Sequence, residues 1–118
     1  MSNITVENKS FDFAVRIVNL YKYLTENKKE FILSKQLLRC GTSIGANVSE
    51  AQKAQSEADF VSKLHVALKE AYETQYWLRL LYKTNYMTES EFQSIEKDIA
   101  EIVAILTAII KKMKQKEL

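Results

Sequence analysis

No proline interrupts this chain, and its only two glycines, Gly41 and Gly45, lie inside one stretch, Arg39 to Ala51, that otherwise reads as helix. Each glycine costs a helix about 1 kcal/mol against alanine. Two of them four residues apart, with Ser49 four further on, share one face, so the expected compensation is a second helix backbone at unusually close approach. Two other lines run beside this one. Leu33, Leu37, Cys40, Ile44, Val48 and Ala51 form an apolar stripe, and Gln36, Arg39, Ser43, Asn47 and Glu50 form a polar stripe about 100° around the helix. One segment therefore carries a core face, a close-contact face and a hydrogen-bonding face.

The rest of the chain supports an all-α fold. Hydrophobic residues make up 47% and charged residues 27% of 118 positions, and so few helix breakers in a chain of one-domain length point to long helices around a single core. Four are expected, near residues 10–25, 28–54, 57–83 and 89–114. The first shows Phe13, Ile17, Leu20 and Leu24 on one line and Phe11, Ala14, Val18 and Tyr21 on the next. Asn27 with Glu30 is placed to cap the second, and Ser56 with Asp59 the third. The third carries Phe60, Leu64, Ala67, Ala71, Thr74, Leu78 and Leu81 on its core line, and Glu70, Glu73 and Trp77 on a neighbouring line. Thr88 and Glu91 form a capping box for the fourth, with Met87 and Phe92 as a hydrophobic staple.

Short connections make an up-down-up-down antiparallel bundle the default architecture. The ends, residues 1–8 and 115–118, are expected to fray. The fourth helix is apolar on nearly every side from Ile102 to Ile110, more than a small bundle needs, which predicts self-association with Val103, Leu106 and Ile110 as interface residues.

Reactive chemistry is sparse. Di-metal bundles need Glu-x-x-His pairs on facing helices, and this chain has none. One histidine, His65, and one cysteine, Cys40, cannot complete a common zinc site, so no metal and no cofactor are expected. Cys40 lies on the core stripe, where a free cysteine serves as a small hydrophobe. The glycine-containing segment lacks the lysine and strand context of a phosphate-binding loop. Glu70 and Glu73 read as solvated or salt-bridged helix residues, with Arg39 placed to pair with either, rather than as an acid–base pair. The lone cysteine, the absence of an apolar leader and the lack of any run long enough to span a bilayer predict a cytoplasmic protein without a membrane partner.

Taken in order, Gln36-Leu37-Leu38-Arg39, Ser43-Ile44, Asn47-Val48-Ser49-Glu50, Phe60, Ala67-Leu68-Lys69-Glu70-Ala71 and Glu73-Thr74-Gln75-Tyr76-Trp77-Leu78 resemble the bacterial 23S rRNA intervening-sequence proteins. The resemblance spans about residues 10–113. It departs at Ala51, where relatives often have glycine, and in lacking the proline common before the second helix. It implies an antiparallel four-helix bundle assembling as a ring-shaped homopentamer, with no catalytic activity to carry over. A related branch, the accessory protein of diversity-generating retroelements, implies a basic pentameric barrel that binds nucleic acid. The motif residues on this chain are Arg39, Ser43, Asn47, Glu50, Glu70 and Glu73.

The formal net charge of +2 is too small to argue for nucleic acid alone, but the ends of the chain are basic and its middle acidic. An up-down bundle gathers Lys22, Lys28, Lys29, Lys35, Arg79 and Lys83 at one end, and Lys9, Lys53, Lys111, Lys112, Lys114 and Lys116 at the other. A ring would repeat either cluster around a rim, where counterion release favours a phosphate backbone. The expected role is a non-catalytic homo-oligomer that engages RNA or DNA through these rims. The alternative is a scaffold for another protein, and an enzyme is the third reading.

Overall fold

A computed structural model of the protein describes residues 5–116. Four helices, α1 (Val6–Glu26), α2 (Leu33–Ala51), α3 (Glu57–Lys83) and α4 (Glu89–Lys116), make up the fold, with no strand among the described residues. The particle measures 49 × 25 × 23 Å. Helix α2 packs on α1 and α3, α3 packs on α4, and α4 closes the ring of contacts on α1.

The core joins the apolar lines of the first three helices to one face of α4. Phe13, Ile17 and Leu24 of α1 meet Leu37, Ile44 and Val48 of α2, Leu64, Ala67, Ala71, Leu78 and Leu81 of α3, and Ile95, Ile99, Ile102 and Leu106 of α4, all buried. Each fully buried aliphatic side chain of this kind contributes about 1.5–3 kcal/mol relative to exposure. Cross-helix pairs fix how the rods lie. Arg39 meets Glu70 and Glu73, while Glu50 meets Lys63. Lys9 meets Glu101 at 2.8 Å, and Arg16 meets Asp98 at 2.6 Å and the Ser94 hydroxyl at 2.6 Å.

The backbone contact expected along the glycine line is found at Gly45 but not at Gly41. A Cβ placed on Gly45 would lie 3.1 Å from the Ser10 carbonyl oxygen, and one on Gly41 would lie 2.8 Å from Cγ1 of the buried Ile17. At Gly41 the space is filled by the Ile17 side chain, whereas helix α1 brings its backbone against α2 at Gly45. The close approach ends there, because Ser49, expected on the same contact line, is exposed.

Several expectations need correction. Helix α1 begins at Val6, because the Thr5 hydroxyl accepts the Asn8 N–H at 3.0 Å, so residues 5–8 are capped helix rather than frayed chain. At the other end α4 continues through Lys116, so residues 115–116 are helical, and residues 1–4 and 117–118 of the predicted frayed ends lie outside the described residues. Helix α2 begins at Leu33, not residue 28, and closes at Ala51, not residue 54. Asn27 ends α1 instead of starting α2, and Lys29 takes a left-handed φ of 56° that turns the chain. The cap of α2 is Glu30 alone. Its carboxylate accepts the N–H groups of Ile32, Leu33 and Ser34 at 3.1, 3.0 and 2.6 Å, satisfying donors that a helix start leaves orphaned.

Other corners follow the sequence more closely. Ser56 caps α3 at Asp59 N–H, and Thr88 and Glu91 exchange both bonds of a capping box. The end of α3 is closed by Asn85 at φ 71°, with Tyr86 N–H returning to the Leu81 carbonyl at 2.9 Å. Asparagine tolerates that left-handed position, which is why the corner needs no glycine.

Helix α4 does not hold the surplus apolar surface that its sequence suggested. Leu106 and Ile110, expected at an interface between copies, are buried in this chain's own core, and Val103 is packed against that core. Because α4 is flanked by both α3 and α1, its stripe is wide enough to be used on two sides. The residues facing outward between them are the small Ala104, Thr107 and Ala108. Large exposed apolar side chains stand elsewhere: Phe11 and Val15 on α1, Phe31 and Ile32 in the first connection, and Val66, Tyr72 and Tyr76 on α3.

Candidate functional site

The six motif residues do not converge on one pocket. They are strung along the α2–α3 seam in three groups. At one end the Arg39 guanidinium bonds Glu73 and approaches Glu70 at 3.4 Å, as expected from their positions. The same Glu73 oxygen accepts the Trp77 indole N–H at 3.0 Å. The Tyr76 ring then stands edge-on against Trp77, with centroids 5.0 Å apart and planes at 79°. In the middle, the Asn47 amide donates to the Ser43 carbonyl at 2.9 Å and to its hydroxyl at 3.1 Å, along its own helix. Beyond them Glu50 pairs with Lys63 at 3.1 Å. Partly exposed pairs of this kind are each worth about 0–1 kcal/mol, so they set register more than they set stability.

No nucleophile is poised here. Cys40 is buried, and burial pushes its thiol above the ordinary value, with a bond to Thr74 pulling only partly the other way. Thr74 lies nine positions beyond His65, about 13 Å along the helix, so thiol and imidazole do not meet. Cys40 is expected to react with a chromogenic disulfide reagent about a thousandfold or more slowly in the native protein than in urea, the ratio set by unfolding. Fast reaction of native protein, followed by absorbance, would contradict this placement.

Among the described residues no three His, Cys, Asp or Glu side chains gather as a metal site, and no helix is long and apolar enough to cross a membrane. A surface hollow of about 740 Å³ between α1 and α2 is lined by Glu7, Asn8, Lys9, Phe11, Asp12, Gly45 and Ser49.

The lysines behave differently from the motif. Lys22, Lys28, Lys29, Lys35, Lys53, Lys111, Lys112 and Lys114 are all exposed. None of the eight is held in an ion pair among the described residues, whereas Lys9 is tied to Glu101, whose bond raises the lysine's pKa and lowers the acid's. The side chain of Lys116 lies outside the described residues. Of the acids near these ends, Glu26 is exposed and three others are engaged. Glu30 and Glu91 cap α2 and α4, and Asp59 accepts the Gln55 N–H at 3.2 Å. Sequence reasoning missed Glu30 as a three-bond cap and Arg16 as the clasp to α4. The first was legible only as half of a capping box, and the second carried no local signal, since its partners lie about 80 positions away.

The sequence model of the family described as 23S rRNA-intervening sequence protein matches residues 2–108. Among solved structures, the chain is similar to a protein of unknown function from the S23 ribosomal protein family of Bacteroides thetaiotaomicron VPI-5482, with 59% identity and a TM-score of 0.90 over 91% of this chain and 99% of that one. No curated protein matches.

Proposed function

Because this chain belongs to the 23S rRNA-intervening sequence protein family, we propose that it works without catalysis, as a cytoplasmic, antiparallel up-down-up-down bundle that assembles into a homo-oligomer and binds the backbone of RNA or DNA. The oligomer is the pentamer that the resemblance implies. The observation that carries the reading is the set of eight exposed lysines without ion-pair partners among the described residues, placed where helices end. Repetition around a ring multiplies each cluster, and phosphate binding then gains from counterion release. Phe11 and Val15 on α1, rather than the core residues of α4, supply apolar surface for a second copy.

The test is a salt titration of binding to mixed-sequence RNA, read by fluorescence anisotropy. Affinity is expected to fall linearly on a logarithmic plot, by about 0.7 in slope for each single-strand phosphate neutralised. No binding at low ionic strength overturns the reading.

A protein scaffold is the second reading. Phe31 and Ile32, 55% and 75% exposed, favour it, since apolar side chains standing in water beside Lys28 and Lys29 suit a protein contact. Partner capture that survives nuclease treatment is its expected sign.

A further inference from the structure

Helix α3 presents one unbroken line to the outside, Lys69, Tyr72, Tyr76, Arg79 and Lys83, at spacings of three and four, and all five are exposed. The sequence alone leaves the tyrosines ambiguous between packing and stacking. The fold separates them. Tyr82 and Tyr86 are half-buried, with Tyr82 stacked on Phe92 at 4.6 Å, whereas Tyr72 and Tyr76 are 52% and 59% exposed. From Lys69 to Lys83 the line runs about 21 Å along the helix.

No carboxylate lies on this line. Those beside it are engaged: Glu70 and Glu73 by Arg39, and Glu96 by the Gln75 amide at 3.3 Å. The line is therefore a cation–ring–ring–cation–cation track with its neutralising acids turned aside. Tyr76 is also oriented, because its ring leans on Trp77, Trp77 is held by Glu73, and Glu73 is held by Arg39. A residue of the α2 polar stripe thus fixes the attitude of a ring on the outer face of α3.

We propose that this track binds single-stranded nucleic acid, with bases stacked on Tyr72 and Tyr76 and phosphates contacted by Lys69, Arg79 and Lys83. The assignment rests on the nucleic-acid reading above and adds to it the class of strand and the seat of the bases. Exposed ring faces are sequence-tolerant platforms, since every base has a π-face, but a duplex keeps those faces stacked inside itself. Single strands are therefore bound in preference to duplexes.

The test compares a labelled mixed-sequence single-stranded RNA with its duplex, by anisotropy at low and moderate salt. The wild-type protein is expected to prefer the single strand. Tyr72→Ala with Tyr76→Ala is expected to weaken single-strand binding by roughly tenfold or more, while Tyr72→Phe with Tyr76→Phe keeps it within about threefold. Lys69→Ala is expected to lower the single-strand salt slope by about 0.7. Light scattering and thermal melting of the same variants show whether the assembly and fold are kept. A preference for duplex, unchanged affinity of the double alanine variant, or loss of the oligomer in that variant each overturns the assignment, the last by making the track an interface between copies. If tyrosine removal is silent while Lys28→Ala, Lys29→Ala, Lys111→Ala and Lys112→Ala together abolish binding, the track falls and the lysine rims stand. If the wild type binds neither strand form at low salt, both fall.

Discussion

Gly41→Val lowers the stability of the protein by about 3 kcal/mol, a fall in Tm on the order of 10 °C. At an unpacked helical position, adding a side chain to glycine is favourable by several tenths of a kcal/mol. Here the new Cβ alone would come within 2.8 and 2.9 Å of Cγ1 and Cγ2 of Ile17, which is fully buried and stiff because both atoms branch from one Cβ. Overpacking of this kind costs about 1–3 kcal/mol and more when backbones must separate. Ile17→Ala removes both clashing atoms. Alone it costs roughly 2–5 kcal/mol by opening a cavity, but beside Gly41→Val its cost is smaller by about 1–3 kcal/mol, since the valine occupies part of that space. Urea unfolding of the four proteins in this cycle measures the coupling. Additive costs would mean that Gly41 and Ile17 do not touch as described.

Glu30→Ala is the second large effect, about 2–3 kcal/mol at neutral pH. The substitution leaves three backbone N–H groups at the start of α2 without their acceptor and removes a carboxylate from the positive end of the helix. Glu30→Gln keeps one acceptor oxygen and is expected to lose about half as much.

The pH dependence has a definite sign. Burial pushes the Glu30 carboxyl up, but the backbone donors of Leu33, Ser34 and Ile32 outweigh it and hold the group below its ordinary value of 4.5. A depressed acid stabilises the fold above its unfolded pKa, and that contribution is lost as pH falls through the folded pKa. The gap between wild type and Glu30→Gln is therefore expected to be full near pH 7 and to close progressively below pH 4.5. Denaturant melts at several pH values follow it. A gap that stays constant into acid would show that the charge of Glu30 does not cap the helix.

Much of this protein is legible in one dimension, and the parts that are not share a cause. The core lines of α2 and α3 read directly, because a 3.6-residue period puts every member of a line on the same side. The Thr88–Glu91 box and the Ser56 cap read directly too, since their partners are three residues apart. Even the pairing of Arg39 with Glu70 and Glu73 follows from stripes that face each other. The α1–α2 corner does not. Its geometry depends on Lys29 entering a left-handed conformation and on Glu30 reaching forward instead of back, a competition between two local arrangements that the residue types alone leave open.

Periodicity and glycine cost are local properties of the chain, and they suffice to place four helices, most of their core stripes and the point where two of them nearly touch. Which apolar and aromatic residues remain outside depends on the packed arrangement. Leu106 and Ile110 disappeared into the core, while Phe11, Tyr72 and Tyr76 stayed in water. Exposure depends on how many neighbours flank a helix and at what angle, and no residue carries that information until all four helices are in place.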